Sequence, residues 1–373
     1  MKKVLITATE QSHIAQFHKP LIKMLKKNGF EVHVAAKNNL SDKDGLQLPE
    51  PDKVFDIPFE RSPLNIKNIK AYKKLKKLLI ENQYDIIHCN TPVGGVLTRL
   101  AAKPLRNSGT KVFYTPHGFH FYKGAPISNW LFYYPVEKWL ACYTDKIITI
   151  TQEDFSLASA KFASKIYHIH GVGVNTDKYY PVSKSFKVKL RQELGYSDEQ
   201  FILLCVGELN KNKNQSTVLR AVAQAITSIP QIKLLLAGNG PMEQKLKKLT
   251  DSLGLADVVD FLGYRTNLEK YLNICDVSVS ASLREGLPLN VMEAMLCEKP
   301  VIASSNRGHK ELVKDGITGY LLASDDNRGF CSRILELYKN EGLRNKLGRS
   351  GRHAVRPFTE ERVIDELKLV YEV

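Results

Sequence analysis

The sequence predicts an α/β protein with two doubly wound, parallel-sheet domains in tandem, and three observations predict it. The chain has 373 residues, a length that favours about two domains of roughly 150 to 200 residues each. Short β-branched runs recur along it, each followed by a segment with helical periodicity, and the alternation restarts after the turn-rich segment "GVGVNTDKYYPVSKS". Strands that alternate with helices form parallel sheets covered on both faces, so each half should be one such domain.

The strands expected in each half follow in chain order. The first half contains "KKVLITA", "EVHVAAK", "KVFDIPF", "YDIIHCN", "KVFYTPH", "DKIITIT" and "KIYHIHG". The second half contains "FILLCVGEL", "IKLLLAG", "VVDFLG", "DVSVSAS" and "PVIASS". The predicted domains are residues 1–180 and 181–355, and a last helix, 356–373, is expected to cross back to the first. Ligands of such sheets bind beyond the carboxyl ends of the strands, so both sets of strand ends are expected to face one cleft.

The composition is typical of a cytosolic globular protein. Apolar residues make up 43% of the chain, yet no run approaches the ~20 apolar residues of a membrane helix. The basic start "MKKVLITATEQ" has an apolar part too short for a signal peptide, because Thr7 interrupts it, and we interpret it as the first strand. The six cysteines are scattered, with no C-x-x-C pair and no metal-ligand spacing, so we expect them to be buried and reduced.

Positive charge is concentrated in the first half. The formal net charge is +15, of which residues 1–180 carry +11 and residues 181–373 carry +4. A basic first domain favours an anionic partner, which could be nucleic acid, a phosphorylated substrate or an acidic membrane surface. Nucleic acid is the weakest of these, since charge is its only support and no recognition motif accompanies it.

Two glutamates stand eight positions apart in "SASLREGLPLNVMEAMLCEKPVIAS", residues 280–304. We expect a strand in "DVSVSAS", a turn in "LREGLP" and a helix that starts at Pro288, since proline is favoured at a first helical position. The free N–H groups of Leu289, Asn290 and Val291 would then form an anion site. Glu285 would stand on the loop before this helix, and Glu293 would lie inside it.

An isolated acid near a helix start is explained by helix electrostatics alone. The two acids together with the turn, the proline and the strand end are better explained by a ligand. A nucleotide sugar would use every part, because it offers a phosphate to the helix terminus and hydroxyls to two carboxylates.

At this point the sequence resembles a known family, the retaining glycosyltransferases of the GT-B fold, family 4, whose signature is a Glu-x7-Glu motif matched by Glu285 and Glu293. The resemblance covers nearly the whole chain and is greatest for bacterial enzymes that build capsular polysaccharide or exopolysaccharide on a lipid carrier. It implies two Rossmann-like domains facing a cleft, with Glu285 near hydroxyls of the donor sugar and Glu293 on the nucleotide ribose. No metal or cofactor would be required.

The loop "VGELNKNKNQ", residues 206–215, matches the family pattern in part. The family has Gly-Arg-Leu and then a lysine, which Gly207, Leu209 and Lys213 match, so the resemblance implies that Lys213 binds the donor diphosphate. A cation there would neutralise charge on the departing nucleotide. The arginine position is Glu208, however, which leaves a second phosphate cation unassigned, with Lys211 or a residue of the first domain as candidates.

The first domain supplies further candidates. His117, in "YTPHGFHFYKG", follows the fifth strand and matches a family histidine that contacts the donor sugar, although a lone histidine is more often structural. The segment "TATEQSHIAQFHKP" is expected to be a loop that approaches the diphosphate through Ser12 and His13. The pair Asp42-x-Asp44 is similar to the metal-binding acids of another glycosyltransferase fold, but its polar, turn-rich setting favours a solvated loop.

Two segments bear on the acceptor. "NIKNIKAYKKLKKLLI" predicts a basic amphipathic helix, which suits an anionic bilayer or is an ordinary helix with a solvated lysine face. Residues 113–143 hold 11 of the chain's 33 aromatic residues, which suits a membrane interface or a lipid-linked acceptor or else a helix packed into the core. Both alternatives stay open for each segment.

The combined prediction is a retaining hexosyl- or N-acetylhexosaminyl-transferase. It would move a sugar from a nucleotide-diphosphate donor, with UDP as the expected nucleotide, to a lipid-linked glycan in cell-surface polysaccharide synthesis. The expected location is cytoplasmic, peripheral at the inner face of the membrane. The alternatives are a nucleotide-sugar epimerase on the same fold and a non-catalytic glycan- or lipid-binding partner of an assembly complex, which Glu208 keeps open.

Overall fold

The computed structural model describes residues 1–42 and 46–373, and the chain divides into two compact units. The first unit consists of Met1–Gly173 together with Glu360–Val373, and the second is Val174–Thr359. Asp44 of the acidic pair lies outside the described residues, and so does the side chain of Asp42. Each unit, as described, is built on one parallel sheet.

The first unit alternates strands and helices as the sequence predicts. Its strands are β1 (Lys3–Glu10), β2 (Glu31–Lys37), β3 (Lys53–Asp56), β4 (Ile86–Asn90), β5 (Lys111–Thr115), β6 (Lys146–Thr149) and β7 (Lys165–His168). Its helices are α1 (Gln11–Phe17), α2 (Lys19–Lys27), α3 (Lys67–Asn82), α4 (Pro92–Ala102), α5 (Ile127–Ala141) and α6 (Gln152–Lys161). Short 3₁₀ turns occupy Leu40–Asp42 and Lys103–Ser108.

The second unit continues the same alternation. Its strands are β8 (Phe201–Val206), β9 (Ile232–Ala237), β10 (Val259–Gly263), β11 (Val277–Ser280), β12 (Val301–Ser304) and β13 (Gly319–Leu322). Its helices are α7 (Lys184–Glu193), α8 (Gln215–Ala225), α9 (Glu243–Ser252), α10 (Leu268–Ile274), α11 (Leu289–Leu296), α12 (Arg307–Leu312), α13 (Asn327–Lys339) and α14 (Glu341–Ala354), with a 3₁₀ turn at Arg356–Phe358. The last helix, α15 (Glu360–Tyr371), belongs to the first unit.

The two sheets have the same doubly wound order around their central strands. The first sheet runs β3-β2-β1-β4-β5-β6-β7, and the second runs β10-β9-β8-β11-β12-β13. In each, the first strand of the unit is the third from one edge, and the chain reverses direction across the sheet beside it. That point is the topological switch, where ligands of open α/β sheets bind beyond the strand ends. The two doubly wound, parallel-sheet domains predicted from the alternation are therefore confirmed.

Helix α15 is held to the first unit by polar contacts as well as by packing. The Tyr371 hydroxyl lies 2.6 Å from Nδ1 of His88, which stands in the central strand β4. Glu366 accepts a hydrogen bond from the backbone N–H of His170, and its second carboxylate oxygen lies 2.6 Å from Nδ1 of the His170 side chain. The side chain of Tyr371 is only 5% exposed, so the end of this helix is part of the core of the first unit.

Three local expectations need correction. The segment after β1 is helix α1, beginning directly at Gln11, where a loop was expected. Pro288 precedes α11 in extended backbone, with φ −79° and ψ 110°, so the helix starts one residue later than predicted. Strand β13 was not predicted, because "GYLL" is short and follows the turn-forming "KDGIT". Among the described residues, none of the helices is both long and apolar enough to cross a bilayer.

Candidate active site

Three loops of the second unit leave neighbouring strands of the central sheet and lie side by side. They follow β8, β11 and β12. The first two are joined through Asn212, whose backbone carbonyl accepts the Leu283 N–H at 2.7 Å and whose side chain donates to the Arg284 carbonyl at 2.9 Å. The loop that carries Lys213 is thus tied directly to the loop that carries Glu285.

Lys213 and Glu285 form an ion pair at this edge of the sheet. The Lys213 Nζ lies 2.6 Å from the Glu285 Oε1, and the two side chains are 21% and 13% exposed. Such a pair gains more from its attraction than an exposed one, and the loss of either member leaves the other charge poorly solvated. The two residues that the sequence singled out separately are therefore direct partners, although they stand 72 positions apart in the chain.

Gly207 lies in the loop after β8, directly against the aliphatic part of the Lys213 side chain, and this position requires glycine. Its φ is +152°, a value that L side chains rarely adopt, and a Cβ there would lie 3.1 Å from both Cδ and Cε of Lys213. Gly238 packs against it so closely that its own Cβ would come 2.1 Å from the Gly207 carbonyl oxygen. Backbone therefore approaches backbone beneath the lysine, which only glycine allows.

A glycine that sequence reasoning missed holds the second loop. A Cβ on Gly308, in α12, would lie 2.5 Å from the Gly286 carbonyl oxygen and 2.8 Å from the Glu285 Cβ. Because one of these neighbours is backbone, a larger residue would displace the loop. Gly308 therefore fixes the position from which Glu285 reaches Lys213.

The start of α11 matches the expected anion site only in part. Its first residues, Leu289 and Asn290, have N–H groups that no preceding helical turn can satisfy. The Val291 N–H instead donates to the Pro288 carbonyl at 3.2 Å. The Asn290 side chain donates to the Val206 carbonyl at 2.9 Å, which ties the helix to the end of β8. Two N–H groups, where three were expected, are thus left for an anion.

Glu293 lies within α11 in a poorly solvated setting that disfavours its charge. Burial raises the pKa of this carboxyl to about 7, although a hydrogen bond from Tyr179 and the nearby Lys178 act in the opposite direction. Tyr179 is itself buried, and burial and the Glu293 carboxylate raise its pKa. Sequence reasoning missed Tyr179, which stands in the turn-rich segment taken as the domain boundary.

His309 is a second residue that sequence reasoning missed. It is fully buried in α12, with Nδ1 2.7 Å from the Ser304 carbonyl oxygen. Since that oxygen only accepts, Nδ1 carries the proton, and Nε2 can accept from the Ser280 hydroxyl at 3.1 Å. Burial lowers the pKa of this imidazole, so it stays neutral between the ends of β11 and β12. The signal was a histidine shortly after a predicted strand.

In the first unit, His117 occupies a strained turn after β5. Its φ is +55°, a left-handed value that is uncommon for a residue with a side chain. Its Nε2 lies 3.0 Å from Oδ1 of Asn90, the last residue of β4. The next residue, Thr91, is strained further, with φ +64° and ψ 155°, a region occupied almost only by glycine. Two neighbouring strands thus end in conformations that typically accompany function.

Ser12 and His13 lie in α1 and differ in their surroundings. The Ser12 N–H donates to Oδ1 of Asn39 at 3.0 Å, and its hydroxyl accepts from the same amide at 2.9 Å. Asn39 would have to release Ser12 before this residue could bind a phosphate. His13 packs edge-on against His117, with ring centroids 4.5 Å apart.

Helix α5 places its carboxylate inside and large apolar side chains outside. Glu137 is buried and accepts from Arg99 at 2.8 Å and from the Tyr114 hydroxyl at 3.0 Å. The opposite face exposes large fractions of its apolar side chains: Ile127 78%, Leu131 66%, Phe132 73%, Val136 40% and Trp139 50%. This set is called the outer face of α5 below. An apolar surface of this kind marks an interaction site.

Helix α3 is closer to an ordinary amphipathic helix. Leu75 and Leu79 are fully buried, as expected for a helix packed on its sheet, but Ile66 and Ile69 near its start are 80% and 61% exposed. Its lysines surround these two isoleucines. The buried leucines support an ordinary packed helix and the exposed isoleucines support a contact with a surface, so both alternatives stay open for α3.

Comparison with known proteins identifies the family. A family model described as glycosyl transferases group 1 matches residues 186–354, and another described as glycosyl transferase 4-like matches residues 3–151. The chain is 45% identical over 372 residues to the Bacillus subtilis protein named as glycosyltransferase EpsD, covering 99% of this chain and 96% of EpsD. The matches therefore involve both units.

More distant relatives agree. The chain is 28% identical over 358 residues, 93% of its length and 90% of the other, to an Escherichia coli UDP-Gal:alpha-D-GlcNAc-diphosphoundecaprenol alpha-1,3-galactosyltransferase. The solved structure of Anabaena HepE with UDP and glucose superposes with a TM-score of 0.80 at 21% identity and full coverage of both chains. The resemblance found in the sequence is confirmed, and the protein belongs to the group 1, family 4-like glycosyltransferases of the GT-B fold.

Proposed function

We propose that this glycosyltransferase moves a sugar from a UDP-sugar to a lipid-linked glycan, with retention of the anomeric configuration, in the synthesis of a cell-surface polysaccharide. The observation that carries the donor half is the Lys213–Glu285 ion pair in front of α11, with Glu293 inside that helix. A UDP-sugar is the donor because the Escherichia coli relative is named for UDP-Gal and HepE was solved with UDP and glucose.

Different residues of the second unit would bind different parts of the donor. Lys213 would take the diphosphate with the Leu289 and Asn290 N–H groups, since a cation and a helix N-terminus both favour an anion. Once Lys213 binds the diphosphate, its ion pair with Glu285 weakens, and Glu285 would accept hydrogen bonds from hydroxyls of the sugar. Glu293 would accept from the ribose. Gly207 would keep the loop close enough for the lysine to reach the phosphates.

In this scheme departure of the nucleotide is the step that the protein assists most. When the bond between the anomeric carbon and the diphosphate oxygen breaks, negative charge grows on the diphosphate, and Lys213 stabilises it. No side chain is assigned as general base, because a donor phosphate oxygen can take the acceptor proton in a front-side displacement. His117, by family resemblance, would contact the sugar near the reaction centre.

The acceptor half of the proposal is supported by α5 and α3. The exposed apolar side chains of the outer face of α5, and Ile66 and Ile69 among the lysines of α3, are chemically suited to an anionic bilayer. Lipid-diphosphate acceptors reside at such a surface, and the Escherichia coli relative is named for a diphosphoundecaprenol acceptor. The enzyme would therefore work as a peripheral protein at the cytoplasmic face of the membrane.

One assay tests the donor and the acceptor together. Purified protein is incubated with UDP-, GDP- and ADP-sugars, with and without a lipid-diphosphate sugar, and nucleotide release is measured. The proposal predicts release of UDP only when acceptor is present, and loss of release in Lys213→Ala. Conversion of the donor without acceptor would favour an epimerase, and absence of both binding and release would favour a non-catalytic partner. The anomeric configuration of the product, read by proton NMR, tests retention.

A separate assay tests the membrane surface. Flotation with vesicles of mixed anionic and zwitterionic lipid should recover the protein, and recovery should fall in a Leu131→Ser, Phe132→Ser variant, which removes two exposed anchors. Leu369→Ser is the matched control, since Leu369 is 75% exposed on α15. Equal loss in both variants, or no recovery of the unaltered protein, contradicts membrane docking through α5.

A further inference from the structure

The first unit contains a cluster of three histidines, His13, His18 and His117. Each offers a ring nitrogen, and these atoms all lie within 4.8 Å of one another. The ring centroids of His13 and His18 are 5.4 Å apart, and those of His18 and His117 are 5.3 Å apart. Helix α1, the junction between α1 and α2, and the turn after β5 each supply one imidazole.

Two of these imidazoles have a buried nitrogen with nothing to bind. Among the described residues, the Nε2 atoms of His13 and His18 are buried without a hydrogen-bond partner. A buried polar atom left unpaired costs about 1–3 kcal/mol, and such atoms in a folded protein call for an explanation. His88, whose ring centroid lies 6.4 Å from that of His18, is the contrast, because the Tyr371 and Thr115 hydroxyls satisfy both of its nitrogens.

The third imidazole is oriented by a neighbouring amide. The Asn90 side-chain NH₂ lies 3.2 Å from the Thr7 carbonyl and 3.4 Å from the His88 carbonyl, which turns its oxygen towards His117. That oxygen can only accept, so His117 donates from Nε2 and carries its lone pair on Nδ1. A metal-binding histidine is typically held in this way, with its other nitrogen donating to a fixed oxygen.

The cluster is electrostatically suited to receive a cation. Burial lowers the pKa of His117 to about 4 and the pKa values of His13 and His18 well below the ordinary range, so all three are neutral, the form that binds metals. Arg61 is the cationic side chain that acts on His13. Its charge is offset by Glu10, whose carboxylate lies 2.6 Å from the guanidinium.

We propose that His13, His18 and His117 bind one divalent transition-metal ion of the zinc type through three neutral imidazoles. Tetrahedral zinc with Zn–N bonds of about 2.1 Å separates its ligand atoms by about 3.4 Å, so the separations in the cluster, which reach at most 4.8 Å, contract by up to about 1.4 Å on binding. A small cavity of about 20 Å³ beside the trio is lined by His18 and His117 and otherwise mainly by apolar side chains, and it has room for one water as a fourth ligand. Three imidazoles without a carboxylate select zinc, cobalt or nickel over magnesium or calcium.

No step of the proposed transfer is assigned to the ion. Because the ion would engage Nδ1 of His117 while Nε2 donates to Asn90, ion binding and the proposed contact of His117 with the sugar exclude each other. The inference does not depend on the proposed donor, because binding is measured on the full chain without a nucleotide sugar. The protein is treated with chelator, and Co²⁺ is then titrated in while the visible absorption of four-coordinate cobalt is recorded. We expect one Co²⁺ per chain, displacement by one equivalent of Zn²⁺, and a rise in Tm with Zn²⁺ that Mg²⁺ does not reproduce.

His18→Gln should weaken Co²⁺ binding at least tenfold, since it removes one ligand of three. His13→Gln, at a partly exposed position, gives the same test if the first variant folds poorly. His353→Gln is the control, because His353 is exposed on α14 and far in sequence from the cluster. Binding that is equal in all three variants, or no four-coordinate spectrum with the unaltered protein, overturns the proposal.

Discussion

Donor binding should strengthen as the pH rises through neutrality, because Glu293 titrates there. Burial raises the pKa of this carboxyl to about 7, and in the proposed role its carboxylate accepts hydrogen bonds from the ribose. The protonated form is a poorer acceptor. Lowering the pH therefore removes the form of the protein that binds the donor well.

The size of the effect follows from the fraction of ionised Glu293. With a pKa of about 7, roughly nine-tenths of the carboxyl is ionised at pH 8 and about one-tenth at pH 6. If only the ionised form binds, the apparent Kd rises about tenfold between pH 8 and pH 6, which is about 1.4 kcal/mol. His309, which interacts electrostatically with Glu285 and Lys213, does not add to this change, because burial lowers its pKa and keeps it neutral.

The assay is isothermal titration of a UDP-sugar at several pH values between 6 and 8. A UDP-sugar is the right ligand because its β-phosphate is esterified to the sugar, so it lacks the second ionisation near pH 6 that the free terminal phosphate of UDP would add to the result. Glu293→Gln should bind more weakly at pH 8, and its Kd should be nearly independent of pH. A Kd that is flat for the unaltered protein, or an equal slope in the variant, would refute this assignment of Glu293.

Three further changes test the site and the first unit. Lys213→Met should lower the free energy of unfolding by about 1–3 kcal/mol, because Glu285 loses its cation, and adding Glu285→Gln should restore part of it. Gly308→Ala should weaken donor binding at least about tenfold, since its Cβ displaces the loop of Glu285. Arg99→Met should destabilise the first unit by about 3–5 kcal/mol, because Glu137 keeps a buried charge without a partner.

Two of these changes have matched controls. Gly342→Ala meets only the end of one side chain at 3.4 Å, so it should leave donor binding unchanged. Arg349 is exposed on α14, and Arg349→Met should change stability by less than about 0.5 kcal/mol. Urea unfolding followed by circular dichroism measures the stabilities. If Lys213→Met and its double variant are equally stable, the unpaired charge of Glu285 does not destabilise the fold, which contradicts the prediction.

The fold was predictable because periodicity is a local signal. Strand β8, for example, is a continuous apolar run between polar turns, and it is recognised directly in the sequence. Strand β13 was missed because four residues are too few to give a period. Segment 11–17 was taken for a loop because it follows the end of the first predicted strand. Its apolar residue Ile14 lies in a stretch too short for a clear helical pattern.

The candidate site was only partly predictable, because its contacts are not local. Motif spacing provided a reason to choose Lys213 and Glu285, but not to pair them across 72 positions. Tyr179 and His309 stand in segments whose local patterns indicate only a turn and a helix start. Their roles depend on burial and on partners from other strands, which sequence spacing does not reveal. Residues 113–143 were recognised as rich in aromatic side chains, but only the structure shows which apolar side chains are exposed on the outer face of α5.

Helix α15 makes the first unit a discontinuous unit of folding. During synthesis, residues 1–173 emerge first, yet the hydroxyl that binds His88 arrives only after the whole second unit has been made. Until then, the central strand of the first sheet carries a buried imidazole without one of its partners. The first unit therefore lacks helix α15 until synthesis of the second unit is finished. The contacts of Tyr371 complete a domain whose strand β4 the ribosome made 283 residues earlier.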